Sequence, residues 1–141
     1  MALLGTCVVP HPPLIIPEIG RGEERGIQAT IAAYKQAAAW AIAKEPETGV
    51  MTSPHAKMYA DYMQISAGIG AQGSFASFGH PELMFNASYD VAFVSHLSKL
   101  SARINLPAGT LGKQDGSLDH GTMIPLYFLQ QAGFSGKIVR I

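Results

Sequence analysis

The chain opens on a near-continuous apolar run, Ala2-Leu3-Leu4-Gly5-Thr6-Cys7-Val8-Val9. A run of that length without alternation predicts a strand buried on both faces, as in a parallel sheet. Over residues 22–44 the period changes. Ile27, Ile31, Tyr34, Ala38 and Ile42 recur every three or four positions and mark the core face of a helix. Glu23 and Glu24 suit the positive end of its dipole, Lys44 suits the other end, and Pro46 stops it. Thr48-Gly49-Val50-Met51-Thr52 reads as a second short strand, so the opening unit is predicted to be β-helix-β with parallel strands.

The middle, 58–88, is broken by glycines and by His80-Pro81. Residues 59–65, 74–78 and 83–85 alternate only partly and predict short strands or extended loops. Residues 89–104 predict a second amphipathic helix with Phe93, Val94, Leu97 and Leu100 on its apolar face. After a glycine-rich loop containing Pro107, Thr122 is placed to cap a third helix running to about Gln131. Pro125 then falls in the first turn, where a missing N–H costs little. Residues 137–141 predict a last strand. The pattern is that of one α/β domain over residues 1–141, a three-layer core with a mostly parallel sheet and flanking helices.

Ten basic and ten acidic residues give no net charge, which argues against a nucleic-acid or membrane-surface partner. Charged residues are 14% of the chain, against about 25% in typical soluble domains, so part of the surface is expected to be covered. A homo-oligomer, or docking on further chain, would cover it. The single cysteine, Cys7, excludes an internal disulfide and is expected to be a buried thiol; Trp40 is expected in the core. No basic stretch precedes the apolar N-terminus and no run is long enough to span a membrane, so the cytoplasm is the expected compartment.

Chemistry gathers at the ends of the predicted strands. In Val9-Pro10-His11-Pro12-Pro13 three prolines restrict the backbone around one histidine. Thr52-Ser53-Pro54-His55 repeats the arrangement after the next strand. Ligands collect beyond the carboxyl ends of strands in open α/β sheets, so His11 and His55 are candidate ligands of one metal ion. Imidazole suits Fe, Zn, Cu or Ni. Loop or core histidines are the plain alternative. Leu118-Asp119-His120-Gly121-Thr122 puts a third histidine at a helix start, where the dipole disfavours imidazolium. Gly121 would let a ligand come close, and Asp119 would orient the ring or cap the turn. Gly68-Ile69-Gly70-Ala71-Gln72-Gly73 spells a dinucleotide fingerprint, but extended sequence follows where a helix is needed, and a hairpin or lid is expected. His80 and His96 read as structural.

Together the three histidine segments, the last extended through Met123-Ile124-Pro125-Leu126, resemble the class III extradiol ring-cleavage dioxygenases, the LigB-type catalytic subunits. Pro17-Glu18-Ile19-Gly20-Arg21-Gly22 and Pro107-Ala108-Gly109-Thr110-Leu111-Gly112 are most similar to the branch encoded with a Memo-like and radical-SAM system. The resemblance implies that His11 and His55 are the histidines of a 2-His-1-carboxylate site for Fe(II), with Zn as the alternative. It implies that His120 is catalytic, lining a substrate pocket with Gly121 and Pro12 rather than binding the metal. A catecholic substrate and O2 would be the small-molecule partners. The family's glutamate ligand and main acid–base histidine lie in the second half of a longer domain, so the chain is expected to be its N-terminal part. Glu18, Asp61 and Glu82 are conceivable substitutes, and no spacing selects one. A Memo-like metal-binding scaffold without oxygenase activity and a metal-dependent hydrolase are the competing readings.

Overall fold

A helix or strand forms where local preference meets a partner to bury against, and the computed structural model, which describes residues 2–141, separates the two requirements. Helix α1 is one turn, Pro17–Gly20. Helix α2 spans Gln28–Ile42, β1 is Thr48–Met51 and β2 is Met63–Gln64. Strands β3 (Gly70–Phe75) and β4 (His80–Ser88) follow, then helix α3 (Val91–Arg103). The chain continues through β5 (Ala108–Gly109), α4 (His120–Gln131) and β6 (Lys137–Arg140).

The class is α/β, with the strands in three separate two-stranded pairs. β1 lies parallel to β6, with Thr48 opposite Lys137 and Met51 opposite Arg140. β2 lies parallel to β5, and β3 and β4 form an antiparallel hairpin. Residues 2–10 form no strand. Their apolar run finds no ladder among the described residues, and Leu3 and Val8 stand 87% and 100% exposed. The expected β-helix-β unit is therefore replaced by the pairing of β1 with β6. Cys7, expected to be buried, is exposed on this arm. Trp40, expected in the core, is 45% exposed and touches the arm at Gly5.

Helix α2, the first that the periodicity predicts, begins later than residue 22. Residues Glu23–Ile27 wind as a 3-10 turn, because Gly22 sits at φ 106° and Gly26 gives the backbone no side chain to stiffen it. The last helix begins earlier. Its cap is Asp119, whose carboxylate accepts the Thr122 N–H at 3.0 Å, while Thr122 itself lies buried in the first turn. Pro125 consequently falls inside α4, where it has no N–H to give to the Gly121 carbonyl.

The main core joins Ile15, Ile16, Phe75, Phe85, Tyr89, Leu118, Ile124, Leu126 and Ile138. Tyr34 of α2 stacks on Phe128 of α4 with ring centres 4.2 Å apart. A smaller cluster of Ile65, Val94 and Val139 lies under α3. β6 is not an open edge: β1 flanks it, Tyr89 bridges to Ile138, and Ile138, Val139 and Arg140 are all buried. The glycine motif belongs to the hairpin. A Cβ on Gly73 would stand 2.8 Å from the Leu118 carbonyl oxygen and 2.6 Å from the Met123 sulfur, so that glycine serves close packing of β3 on the segment entering α4.

Candidate metal centre

Three separate stretches deliver one histidine each to the same place. Pro10 and Pro12 hold the backbone on either side of His11, and the 3-10 turn Pro13–Ile15 then buries Ile15 and Ile16 in the core. His55 sits in the turn that leaves β1, where the Ala56 N–H donates to the Ser53 carbonyl at 3.2 Å. The His55 N–H donates to the Ser53 hydroxyl, also at 3.2 Å. His120 is the first residue of α4.

The Nε2 atoms of His11 and His55 face each other at 3.1 Å. Two imidazoles bound to one ion at ~2.0–2.2 Å bring their nitrogens ~3–4 Å apart, so the pair fits a shared cation without rearrangement. His120 is closer than a purely substrate-facing part would place it. Its ring centre is 4.1 Å from that of His55 and 5.6 Å from that of His11. All three rings offer a nitrogen within 4.8 Å of the others. The donor set is therefore three nitrogens, a set suited to a borderline transition metal. Among the described residues no carboxylate joins the cluster, and Glu18, Asp61 and Glu82 stand apart from it.

Asp119, next in sequence to His120, is turned the other way. Its carboxylate accepts the Ser53 hydroxyl at 2.5 Å, the Thr122 N–H at 3.0 Å and the Thr122 hydroxyl at 2.9 Å. Burial pushes its carboxyl up, but these hydrogen bonds and the Arg140 guanidinium outweigh burial and hold it below the ordinary range. Burial lowers the His120 imidazole, and the neighbouring His55 and His11 lower it further. That ring is accordingly neutral near pH 7, with one nitrogen to donate and one to accept.

Gly121 is buried beneath the site: a Cβ there would lie 3.0 Å from the Asp119 carboxylate and 3.2 Å from the His55 ring. Its smallness serves close packing of α4 against the His55 turn. Pro12 is half-buried and starts the turn that follows His11. Phe78, at the tip of the β3–β4 hairpin, sets its ring 5.5 Å from His120 at 74° and forms an aromatic wall beside the cluster. Sequence pattern gave no sign of it, since only the hairpin brings that tip to α4. His80 lies outside the cluster and bonds Glu82 at 2.7 Å, and His96 is exposed on α3.

A family model described as the catalytic LigB subunit of aromatic ring-opening dioxygenase matches residues 5–141. The chain belongs to the LigB family. All three histidines lie inside the matched span, and at family level this is a ring-cleavage dioxygenase-like domain. Protein CA_C1420 of Clostridium acetobutylicum is 33% identical over 148 residues, an alignment that takes in 100% of this chain and 32% of the relative. The LigB-family chain thus spans about a third of that curated relative's length, and the relative's name states no activity. No helix among the described residues is long and apolar enough to cross a membrane.

Proposed function

We propose that His11 and His55 hold a divalent metal, Fe(II) in the first place and Zn in the second, in an extradiol-type ring-cleaving oxygenase site for a catecholic aromatic substrate. The observation that carries this reading is the 3.1 Å approach of two proline-positioned imidazole nitrogens within sequence that matches LigB. An Fe(II) ion held there would supply a redox-active centre at which substrate and O2 meet. The chain's own residues would do the rest. His120, neutral and first in α4, would donate to or accept from a substrate hydroxyl through a ring nitrogen. Gly121, packed beneath His55, would support the site from below and not touch the substrate, while Pro12 would bound one side of it and Phe78 would lie along the ring. The third ligand, a carboxylate by family pattern, would come from outside residues 2–141, on further chain or on a partner copy.

The exposed apolar arm and the low charge content support self-association or docking as the way the site is completed. Fe(II) and the exposed Cys7 thiol both suit a reducing, cytoplasmic setting.

Anaerobic loading of the 141-residue chain with Fe(II), followed by metal analysis and O2-electrode measurement with catechol, tests the reading. The expected result is weak metal uptake that His11→Ala or His55→Ala abolishes, with little O2 consumption until the missing carboxylate is supplied. Uptake that survives both substitutions would overturn it. One observation favours a second reading. The third donor in reach is an imidazole, and three histidines with an open position are a donor set of hydrolytic zinc sites. Zn-dependent ester hydrolysis without O2 would select the hydrolase, and metal uptake with neither activity would select a Memo-like scaffold.

A further inference from the structure

The chain buries one arginine, and nothing in the proposed chemistry uses it. Arg140 of β6 is 2% exposed. Its Nε donates to the Ser66 hydroxyl at 3.0 Å, Nη2 to the Asp115 carbonyl at 3.1 Å and Nη1 to the Ser117 carbonyl. Nη1 also lies 3.7 Å from the Asp119 carboxylate. A buried cation with a rigid fork of donors stays where its partners are and holds them there. The partner that matters here is Asp119. One of its oxygens takes both the Ser53 hydroxyl and the Thr122 N–H, while the other takes the Thr122 hydroxyl and faces Arg140. From that carboxylate the connection divides. Through the Thr122 bonds it caps α4 and sets the entry of His120; through the Ser53 hydroxyl, which accepts the His55 N–H, it sets the turn of His55.

We infer that Arg140 is a positioning residue for the histidine cluster, acting through Asp119 on His120 and through Asp119 and Ser53 on His55. The backbone supports the same division. Arg140 stands opposite Met51 in the parallel ladder, and the Ser53 N–H donates to the Ile141 carbonyl at 3.4 Å, so β6 underlies the turn that carries His55. The guanidinium also keeps the Asp119 carboxylate directed into the protein, away from the face where the three imidazoles meet.

The test uses the full chain with Arg140→Met, Arg140→Lys and Ser53→Ala, and two readouts. One is Zn(II) affinity by competition with a chromophoric chelator; this readout rests on the metal reading above. The other is the histidine side-chain 1H–15N resonances of the metal-free chain, which do not. Arg140→Met is expected to weaken Zn(II) binding ~10–100-fold, the usual scale for a group behind a ligand. It should shift the His55 and His120 resonances and leave those of His80 and His96 in place. Arg140→Lys should recover part of the loss. Ser53→Ala should shift His55 more than His120, and its combination with Arg140→Met should cost less than the product of the two. Unchanged affinity and unchanged His55 and His120 resonances in Arg140→Met would overturn the inference, as would equal shifts at every histidine. If Arg140→Met does not fold, Ser53→Ala decides alone, and an unmoved His55 resonance counts against the inference. If the unmodified chain takes up no Zn(II), the metal reading fails and the metal-free resonances still decide this one.

Discussion

His11 and His55 reach the same point by opposite means. Among the described residues His11 has one side-chain hydrogen-bond partner, His55 itself, and it follows an arm in which Val8 is wholly exposed. Its placement comes from proline restriction and from Ile15 and Ile16, buried just beyond it. His55 and His120 instead share a buried polar support of Ser53, Asp119, Thr122 and Arg140. A cluster can thus be fixed on one side by covalent stiffness and on the other by satisfied hydrogen bonds. The two devices fail differently. A stiff loop loses position when its anchor is pulled out, while a polar network loses it when any one member is left unpaired.

The largest effect expected from this contrast is on stability. Leu126→Ala, in the scaffold beneath the site, should cost ~2–5 kcal/mol, whereas Val8→Ala on the arm should stay within ~0.5 kcal/mol. Urea denaturation at constant slope measures both. A loss above ~1 kcal/mol for Val8→Ala would mean that the arm is covered in solution and that the contrast is false.

Next in size is the division of labour among the histidines. In an enzyme completed by its carboxylate, His120→Ala should lower turnover ~10²-fold or more with metal content nearly unchanged. His120→Gln should restore part of it if hydrogen bonding outweighs proton transfer. His11→Ala and His55→Ala should each lose the metal. Loss of metal in His120→Ala would make the third imidazole a ligand, which its 4.1 Å ring distance from His55 permits.

The smallest effect lies in the scaffold's interior. Tyr34 is buried on Phe128 with its hydroxyl unpartnered, and burial holds its phenol well above the usual value. Unfolded chains ionise tyrosine near pH ~10, so the neutral buried phenol supports the fold fully below that pH. As pH rises further the unfolded state sheds the proton first, and stability falls by up to ~1.4 kcal/mol per pH unit. Tyr34→Phe should flatten this alkaline limb in thermal melts at pH 9–12 without loss at neutral pH. An unchanged limb would mean that the phenol reaches water.

Sequence pattern located what is local. The periodicity of α3, the short β1 and β6, and the proline-flanked histidines are all written within a dozen residues, and each lies where the pattern puts it. The arm departs from its expected strand because apolarity shows that a strand could be buried, and not whether a ladder exists to receive it. Helix α4 starts ahead of Thr122 because Asp119 and Thr122 are both good caps, and Ser53 and Arg140, far away in sequence, favour Asp119. Phe78 and Arg140 were invisible for the same reason. Each gains its place beside or beneath the histidines only through the hairpin or the β1–β6 pairing.

That pairing also governs when the site comes into being. Thr48 meets Lys137 across roughly ninety residues of chain, a closure whose entropy must be met before the ladder returns anything. Parallel pairing of such distant segments is slow compared with helix formation. The turn of His55 leans on β6 through Ile141, and the cap of His120 leans on it through Arg140. No early intermediate that lacks β6 can therefore present the finished cluster, and a chain emerging from the ribosome would acquire it only once β6 has been made and paired. A ligand of the finished cluster would recognise the folded state alone and stabilise it as a whole, with a melting temperature that climbs with ligand concentration.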